Sequence, residues 1–403
     1  MSLHEDADMD AQMARTLIGA YVGSADLGES IATAQRVPAG AYDAWHHEWS
    51  ASANKALEHA ETAADSGLHD QAGKAFLRAS EYHRQAYFFL RHDLDDDRVI
   101  GGYRAQRDAF RRAIPHLPFQ VDEVQVEFDP APLRGYVFRP EGGRHGEGGR
   151  RDEGEPRPMV IFPGGFDGTA EEMHKYGARQ ALALGWNAIV FDGPGQGGLL
   201  VEGHVPMRPD FEAVLTPLID WTVTQPYIDP SSIIVIGRSF GGYLAPRAAA
   251  TEHRIRALVC DPGQFDFTSR FVDMFSPEDW QRVKDSEPDM EAQLEGFLSG
   301  ARNLEFYGAR MKAMGAETFG GWLRTMIGFT LEGVVDGITC PTLVTEGEGD
   351  FASQSSRLFE SLKCDRQLKR FTIAEGAGGH CEGMGQAVWG DFVFSWLWNQ
   401  LAP

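Results

Sequence analysis

The sequence predicts an α/β fold: a mostly parallel, doubly wound sheet, with a helical domain in front of it and a helical lid inserted into it. Three observations carry that expectation. Residues 41–116 place apolar side chains at spacings of three and four, the period of helices with one buried face. From about residue 157, short apolar runs bounded by glycine or proline alternate with helical stretches, the pattern of buried parallel strands joined by crossover helices. Between about 262 and 336 the strand signal vanishes, then returns in PTLVTEG and KRFTIAEG. The expected division is a helical domain over 1–117 and a catalytic domain over 118–403, with the lid at about 263–336.

Bulk properties exclude several classes of function. The 403 residues carry 59 acidic and 37 basic side chains, a net charge of −22, so a phosphate-rich polymer is repelled and nucleic acid is not an expected partner. No apolar run approaches the ~18 residues of a membrane helix, so no membrane partner is expected. The four cysteines, Cys260, Cys340, Cys364 and Cys381, lack CxxC spacing, which points away from zinc and from a disulfide framework. The acidic start MSLHEDADMD has neither the basic residues nor the apolar core of a secretion signal, and a cytoplasmic location is expected.

Taken in order, the helical region reads as three helices punctuated by Gly67 and by Asp95-Asp96-Asp97. Alternating segments at 119–128 and 133–140 predict an antiparallel hairpin. Residues 141–158 are dense in glycine and charge and predict a mobile surface loop. Strands follow at MVIFPGG, WNAIVFD, SSIIVIG and RALVCD, with helices between them. Pro246, inside the helix after SSIIVIG, should bend it.

Gly237-Arg238-Ser239-Phe240-Gly241 fits G-x-S-x-G between a strand and a helix, the context in which that short pattern points to chemistry. Glycines permit a turn tight enough to hold a serine in a strained conformation with its hydroxyl outward. An alcohol becomes a nucleophile only with a base to take its proton and a third group to orient the base. Downstream, Asp350 and His380 each lie just beyond a strand, in the chain order this arrangement requires. Glu346 and Glu348 compete with Asp350, but the G-x-x-D spacing from Gly347 favours the aspartate. His380 sits on the glycine turn GAGGH with no apolar face to serve, unlike His46, His47, His59, His83 and His92 in the helices. A tetrahedral oxyanion needs donors, and the backbone N–H groups of Phe166, with Gly165 close behind, and of Phe240 are the candidates. FDGPGQGG, 191–198, lacks the lysine of a phosphate loop and reads as a turn at the rim of the sheet. No metal and no organic cofactor are expected.

The helices AWHHEWSASA and FLRASEYHRQAYFFL, with PGGFDGTAEEM, FDGPGQGG, GRSFGGYLAPRAA, PTLVTEGEGD and GGHCEG, resemble the α/β-hydrolases that carry an N-terminal helical domain. That group includes nicotine-degrading and polyketide-shortening enzymes. The resemblance implies an acyl-enzyme and cleavage of a carbon-carbon bond next to a ketone in a β-dicarbonyl or polyketide-like substrate. An esterase, thioesterase or acyltransferase using the same Ser-His-Asp set is the alternative. It also implies a small-molecule ketonic or acyl substrate and a homodimer. A pocket between helical prefix and core is implied too, with Trp45, Trp49, Tyr82, His83 and Phe89 as candidate walls or as plain helix packing. An accessory acid after the sixth strand is implied as well: Asp273 is its nearest counterpart, with Asp266 and Glu278 open.

Overall fold

The computed structural model describes residues 3–140 and 155–402, so most of the loop expected at 141–158 lies outside the described residues. Helices α1 (Ala7–Ile18), α2 (Leu27–Ala34), α3 (Tyr42–Asp65), α4 (His69–Tyr87) and α5 (Asp97–Ala113) come first. The sequence pattern announces the last three only. Both α1 and α2 open on an aspartate, Asp6 and Asp26, whose carboxylates accept from first-turn N–H groups that would otherwise have no partner.

One eight-stranded sheet follows, in the order β1-β2-β4-β3-β5-β6-β7-β8. Its strands are β1 (Gln120–Val126), β2 (Leu133–Arg139), β3 (Arg157–Pro163), β4 (Asn187–Asp192), β5 (Ile228–Arg238), β6 (Ile255–Asp261), β7 (Thr342–Gly347) and β8 (Arg366–Phe371). The first two form the expected antiparallel hairpin, β2 joins β4 antiparallel, and β3 to β8 run parallel. Between them lie α6 (Ala170–Met173), α7 (Ala178–Ala183), α8 (Gly197–Val201), α9 (Glu212–Val223) and α10 (Gly241–Ala249); α16 (Ser355–Ser361) and α17 (Gln386–Leu401) complete the wrapping. Pro246 lies within α10, which runs on to Ala249.

The sheet is buried on both faces because consecutive side chains point to opposite sides and both sides are apolar. Along β5, Ile233 and Val235 join one core and Ile234 and Ile236 the other. Five lid helices, α11 (Ser269–Val272), α12 (Pro277–Lys284), α13 (Pro288–Gly296), α14 (Ala301–Ala313) and α15 (Phe319–Met326), sit between β6 and β7. A separate apolar cluster joins the helical prefix to the rest: Tyr87, Leu90, Leu94, Val99 and Tyr103 pack with Leu200, Val201 and Ala313, and Phe166 lies against them. The loop after β3, which carries Phe166, therefore has three neighbours: sheet, lid and prefix.

Candidate active site

Ser239 directly follows β5 and lies in the left-handed region, with φ of +55°, a conformation a non-glycine residue adopts only when its surroundings enforce it. The enforcement is close packing by glycines. A Cβ at Gly237 would lie 2.0 Å from the Gly241 carbonyl oxygen, and one at Gly242 would lie 1.9 Å from that of Pro262. The Ser239 N–H donates to the Asp261 carbonyl at 2.7 Å, which clamps the turn to β6.

The other two candidates come from the ends of β7 and β8 and meet this serine. His380 Nε2 is 2.8 Å from Ser239 Oγ, and its Nδ1 lies 2.9 and 3.1 Å from the two Asp350 oxygens. Neither Glu346 nor Glu348 takes that place: Glu346 contacts Ser353 and Arg370, and Glu348 accepts from the Ile373 N–H. Two loops can approach this closely because Gly347 has no side chain; a Cβ there would lie 2.3 Å from the Gly379 carbonyl oxygen. Burial alone would lower the His380 pKa, but the adjacent Cys381 sulfur and the Asp350 carboxylate hold it well above its ordinary value.

The loop after β3 lies directly over the serine. A Cβ at Gly165 would be 2.9 Å from Ser239 Cβ and 3.3 Å from its Oγ. The N–H groups of Phe166 and Phe240 have no acceptor among the described residues, and the two rings meet edge to face at 5.1 Å. Two unspent donors beside a nucleophile are what a developing oxyanion requires.

Several residues that hold this arrangement go unassigned in the sequence analysis. Gln196 Nε2 donates to the carbonyls of both Gly164 and Gly165, at 2.8 Å each, while its Oε1 accepts from the Gly193 N–H. Because a trans peptide points its N–H opposite its C=O, these bonds fix where the Gly165 and Phe166 N–H groups aim. FDGPGQGG is the expected turn at the rim of the sheet, at the end of β4, and it is also a buried brace. Its Asp192 accepts from the Ala170 and Gly198 N–H groups and from the Tyr103 hydroxyl at 3.2 Å, tying α5 to the sheet. Arg238 is buried between Trp389 and Tyr176, pairs with Asp261 at 3.0 Å, and donates to the Cys381 carbonyl at 2.7 Å. One guanidinium thus joins the serine turn to the histidine loop. The only sequence sign of either brace was its position inside a glycine motif.

Other expected residues fall elsewhere. Trp45, Trp49 and Tyr82 are fully buried and Phe89 nearly so, packed on one another between α3 and α4 with ring separations of 5.2 to 5.4 Å. They are interior to the prefix, at the helix-helix interface, which leaves these large rings no solvent to face. His83 is buried with them, and burial pushes its pKa down to about 4. Asp273 is exposed just after α11. Glu278 is exposed in the first turn of α12, and Asp266 accepts from Thr268 and faces Arg357 at 3.7 Å. A cavity of about 270 Å³ lies within the lid instead, lined by apolar rings such as Phe271, Phe275, Tyr307 and Phe319. No cluster of side chains suited to a metal ion is found among the described residues.

Comparison with known proteins gives this geometry a context. The alpha/beta hydrolase family profile matches residues 159–388, more than half of the chain, from β3 to the start of the last helix. The chain belongs to the α/β-hydrolase family. A second profile, esterase FrsA-like, matches residues 39–270 and so includes the helical prefix. This α/β-hydrolase is 31% identical to the hydrolase acrC of Aspergillus aculeatus, over 96% of its own length and 95% of the relative's. It is 29% identical to the 20-hydroxy-prefusarin hydrolase FUS2 of Gibberella moniliformis, over 93% and 91%. Among solved structures it resembles 2,6-dihydroxy-pseudo-oxynicotine hydrolase, with a TM-score of 0.69, 21% identity and 96% and 95% of the two chains covered, a likeness of fold. No helix of the described residues is long and apolar enough to cross a membrane.

Proposed function

We propose that this hydrolase works through an acyl-enzyme on Ser239 and cleaves the carbon-carbon bond between the two carbonyls of a β-dicarbonyl or polyketide-like substrate. The observation that carries the proposal is the 2.8 Å contact between His380 Nε2 and Ser239 Oγ, with Asp350 on the opposite ring nitrogen. Ser239 Oγ attacks one carbonyl carbon while its proton passes to His380 Nε2. The oxyanion is held by the Phe166 and Phe240 N–H groups, and Asp350 stabilises the imidazolium. Collapse breaks the bond to the neighbouring carbon, whose electrons move onto the second carbonyl as an enolate, and the proton on His380 quenches it. Water, deprotonated by His380, then attacks the ester carbon and releases a carboxylic acid and free Ser239.

Support for the carbon leaving group comes from the relatives, one named for a prefusarin and the structural neighbour for a pseudo-oxynicotine. Ester, thioester or acyl-transfer chemistry is the second reading, favoured by the esterase FrsA-like match. Paired assays separate them. With an aryl β-diketone and the aryl ester of equal size, the proposal expects diketone cleavage that Ser239→Ala abolishes. Fast ester turnover with no diketone cleavage would overturn it in favour of the second reading.

A further inference from the structure

Beside the oxyanion loop stands a cation, Arg310, that Asp167 and Glu305 attract from beyond ion-pair distance. Arg310, on lid helix α14, stacks on the Phe306 ring at 3.5 Å and faces the Phe166 ring at 5.6 Å. Its one hydrogen bond to protein runs from Nη1 to the Phe306 carbonyl of its own helix at 2.6 Å. Among the described residues no carboxylate oxygen comes within 4.0 Å of its guanidinium. The acids nearby are engaged or quenched. Asp167 accepts from Arg91 at 2.9 Å and faces Arg15 at 4.0 Å, and these cations with Arg310 overcome the effect of burial and hold its carboxyl far below the usual range. Glu305 is buried, and burial pushes its carboxyl up to about 7, so that it is neutral much of the time near neutrality.

Arg310 is nonetheless reachable. It is half-buried, as are Phe166, Asp167, Arg91, Arg15 and Tyr307 around it, which come from α1, the end of the prefix helices, the loop after β3 and α14. Partly exposed side chains of four separate elements meet around it. The guanidinium faces the ring of Phe166, whose N–H is the proposed oxyanion donor. A guanidinium offers up to five N–H donors in a plane, and here most of them have no protein acceptor.

We propose that Arg310 is a substrate-anchoring residue, which takes an anionic oxygen of the acyl group, a carboxylate or a stabilised enolate, in a subsite one aromatic ring away from the oxyanion donors. The proposal deepens the reading of Ser239 as an acylated nucleophile and does not depend on whether a carbon or an oxygen leaves. A cation in this position selects acids over neutral analogues of equal length, because only the acid gives its donors a charged acceptor. Binding, rather than the chemical step, is the quantity it should control.

The test uses ester turnover, so that it survives failure of the carbon-carbon reading. Mono-p-nitrophenyl esters of the dicarboxylic acids from succinic to suberic are compared with the uncharged alkanoate esters of matching length, on wild type, Arg310→Lys and Arg310→Met. The expected result is a best chain length at which the acid ester outcompetes its neutral partner by lower KM. Arg310→Met should raise the KM of that acid ester by about 10- to 100-fold, the range of a charge-assisted hydrogen bond, and leave the neutral ester within about threefold. Arg310→Lys should recover part of the loss. Cyclohexane-1,3-dione, an enolate near neutral pH, serves as the second arm: competitive inhibition lost in Arg310→Met assigns the subsite to enolates as well, and inhibition unchanged confines it to carboxylates. Equal losses on acid and neutral esters, or no preference for the acid at any length in wild type, would overturn the proposal. Should Arg310→Met fail to fold, the wild-type preference and the Arg310→Lys series still decide it. If Ser239→Ala retained ester turnover, the nucleophile would be wrong, an outcome distinct from any of these.

Discussion

Two regions surround Ser239, the proposed nucleophile, and are built on different principles. Around Ser239 the structure is a matter of backbone: glycines at 165, 237, 242 and 347 let main chains approach to distances that no Cβ would permit. Around Arg310 and in the lid the structure is a matter of side chains, with Arg310, Phe306, Phe166, Tyr307 and Trp322 packed as rings and a guanidinium from separate elements. The first region defines a reaction and tolerates little change. The second defines what is presented to that reaction, and changes there should move KM before kcat.

That contrast can be broken or sharpened by graded substitutions. The largest effect belongs to the reacting pair: Ser239→Ala and His380→Ala should each lower kcat by about 10⁴- to 10⁶-fold, with the fold intact by circular dichroism. Asp350→Asn comes next, at about 10³- to 10⁴-fold. Its pH dependence carries the sign of the interaction. His380 must be neutral to accept a proton, and its raised pKa places the acid limb of kcat/KM above the ordinary imidazole value in wild type. Removing the Asp350 charge should shift that limb to lower pH even as the rate falls; an unmoved limb would detach Asp350 from His380. Gln196→Met keeps the volume and deletes the donor to Gly164 and Gly165. It should cost about 10- to 100-fold in kcat, less than the direct loss of an oxyanion donor. KM should stay level, and affinity for a boronic acid analogue of the tetrahedral state should weaken in parallel. Loss of thermal stability without that parallel weakening would reduce Gln196 to scaffolding. The smallest effect on turnover is expected at Trp49→Ala, inside the prefix. It should lower stability by about 3 to 5 kcal/mol in a denaturant titration while the folded enzyme keeps its kcat and KM.

The same contrast explains what was legible in the sequence. The strand runs, the hairpin and the glycine turns are local patterns, so the positions of Ser239, Asp350 and His380 at strand ends could be anticipated from nearby residues alone. What the pattern could not show is which distant groups meet. Gln196 reads as one polar residue in a glycine run, and nothing local says that it reaches back to 164 and 165. Arg238 occupies a variable position in its motif, yet it spans 143 residues to reach the Cys381 carbonyl. The aromatic rings of α3 and α4 are ambiguous for the opposite reason. Their helical spacing signals a buried face but not what that face meets, and here they pack between the two helices. Asp273, matched only by its place along the chain, is exposed, and no local pattern in the sequence says so.

The central claim, that His380 activates Ser239 and no other side chain, is most directly tested by covalent labelling with a fluorophosphonate and intact mass measurement. The account predicts one adduct per chain in wild type, mapped to the peptide containing residue 239. It predicts slow labelling in His380→Ala and none in Ser239→Ala. An adduct of equal yield in Ser239→Ala, or one mapped to another residue, would contradict it.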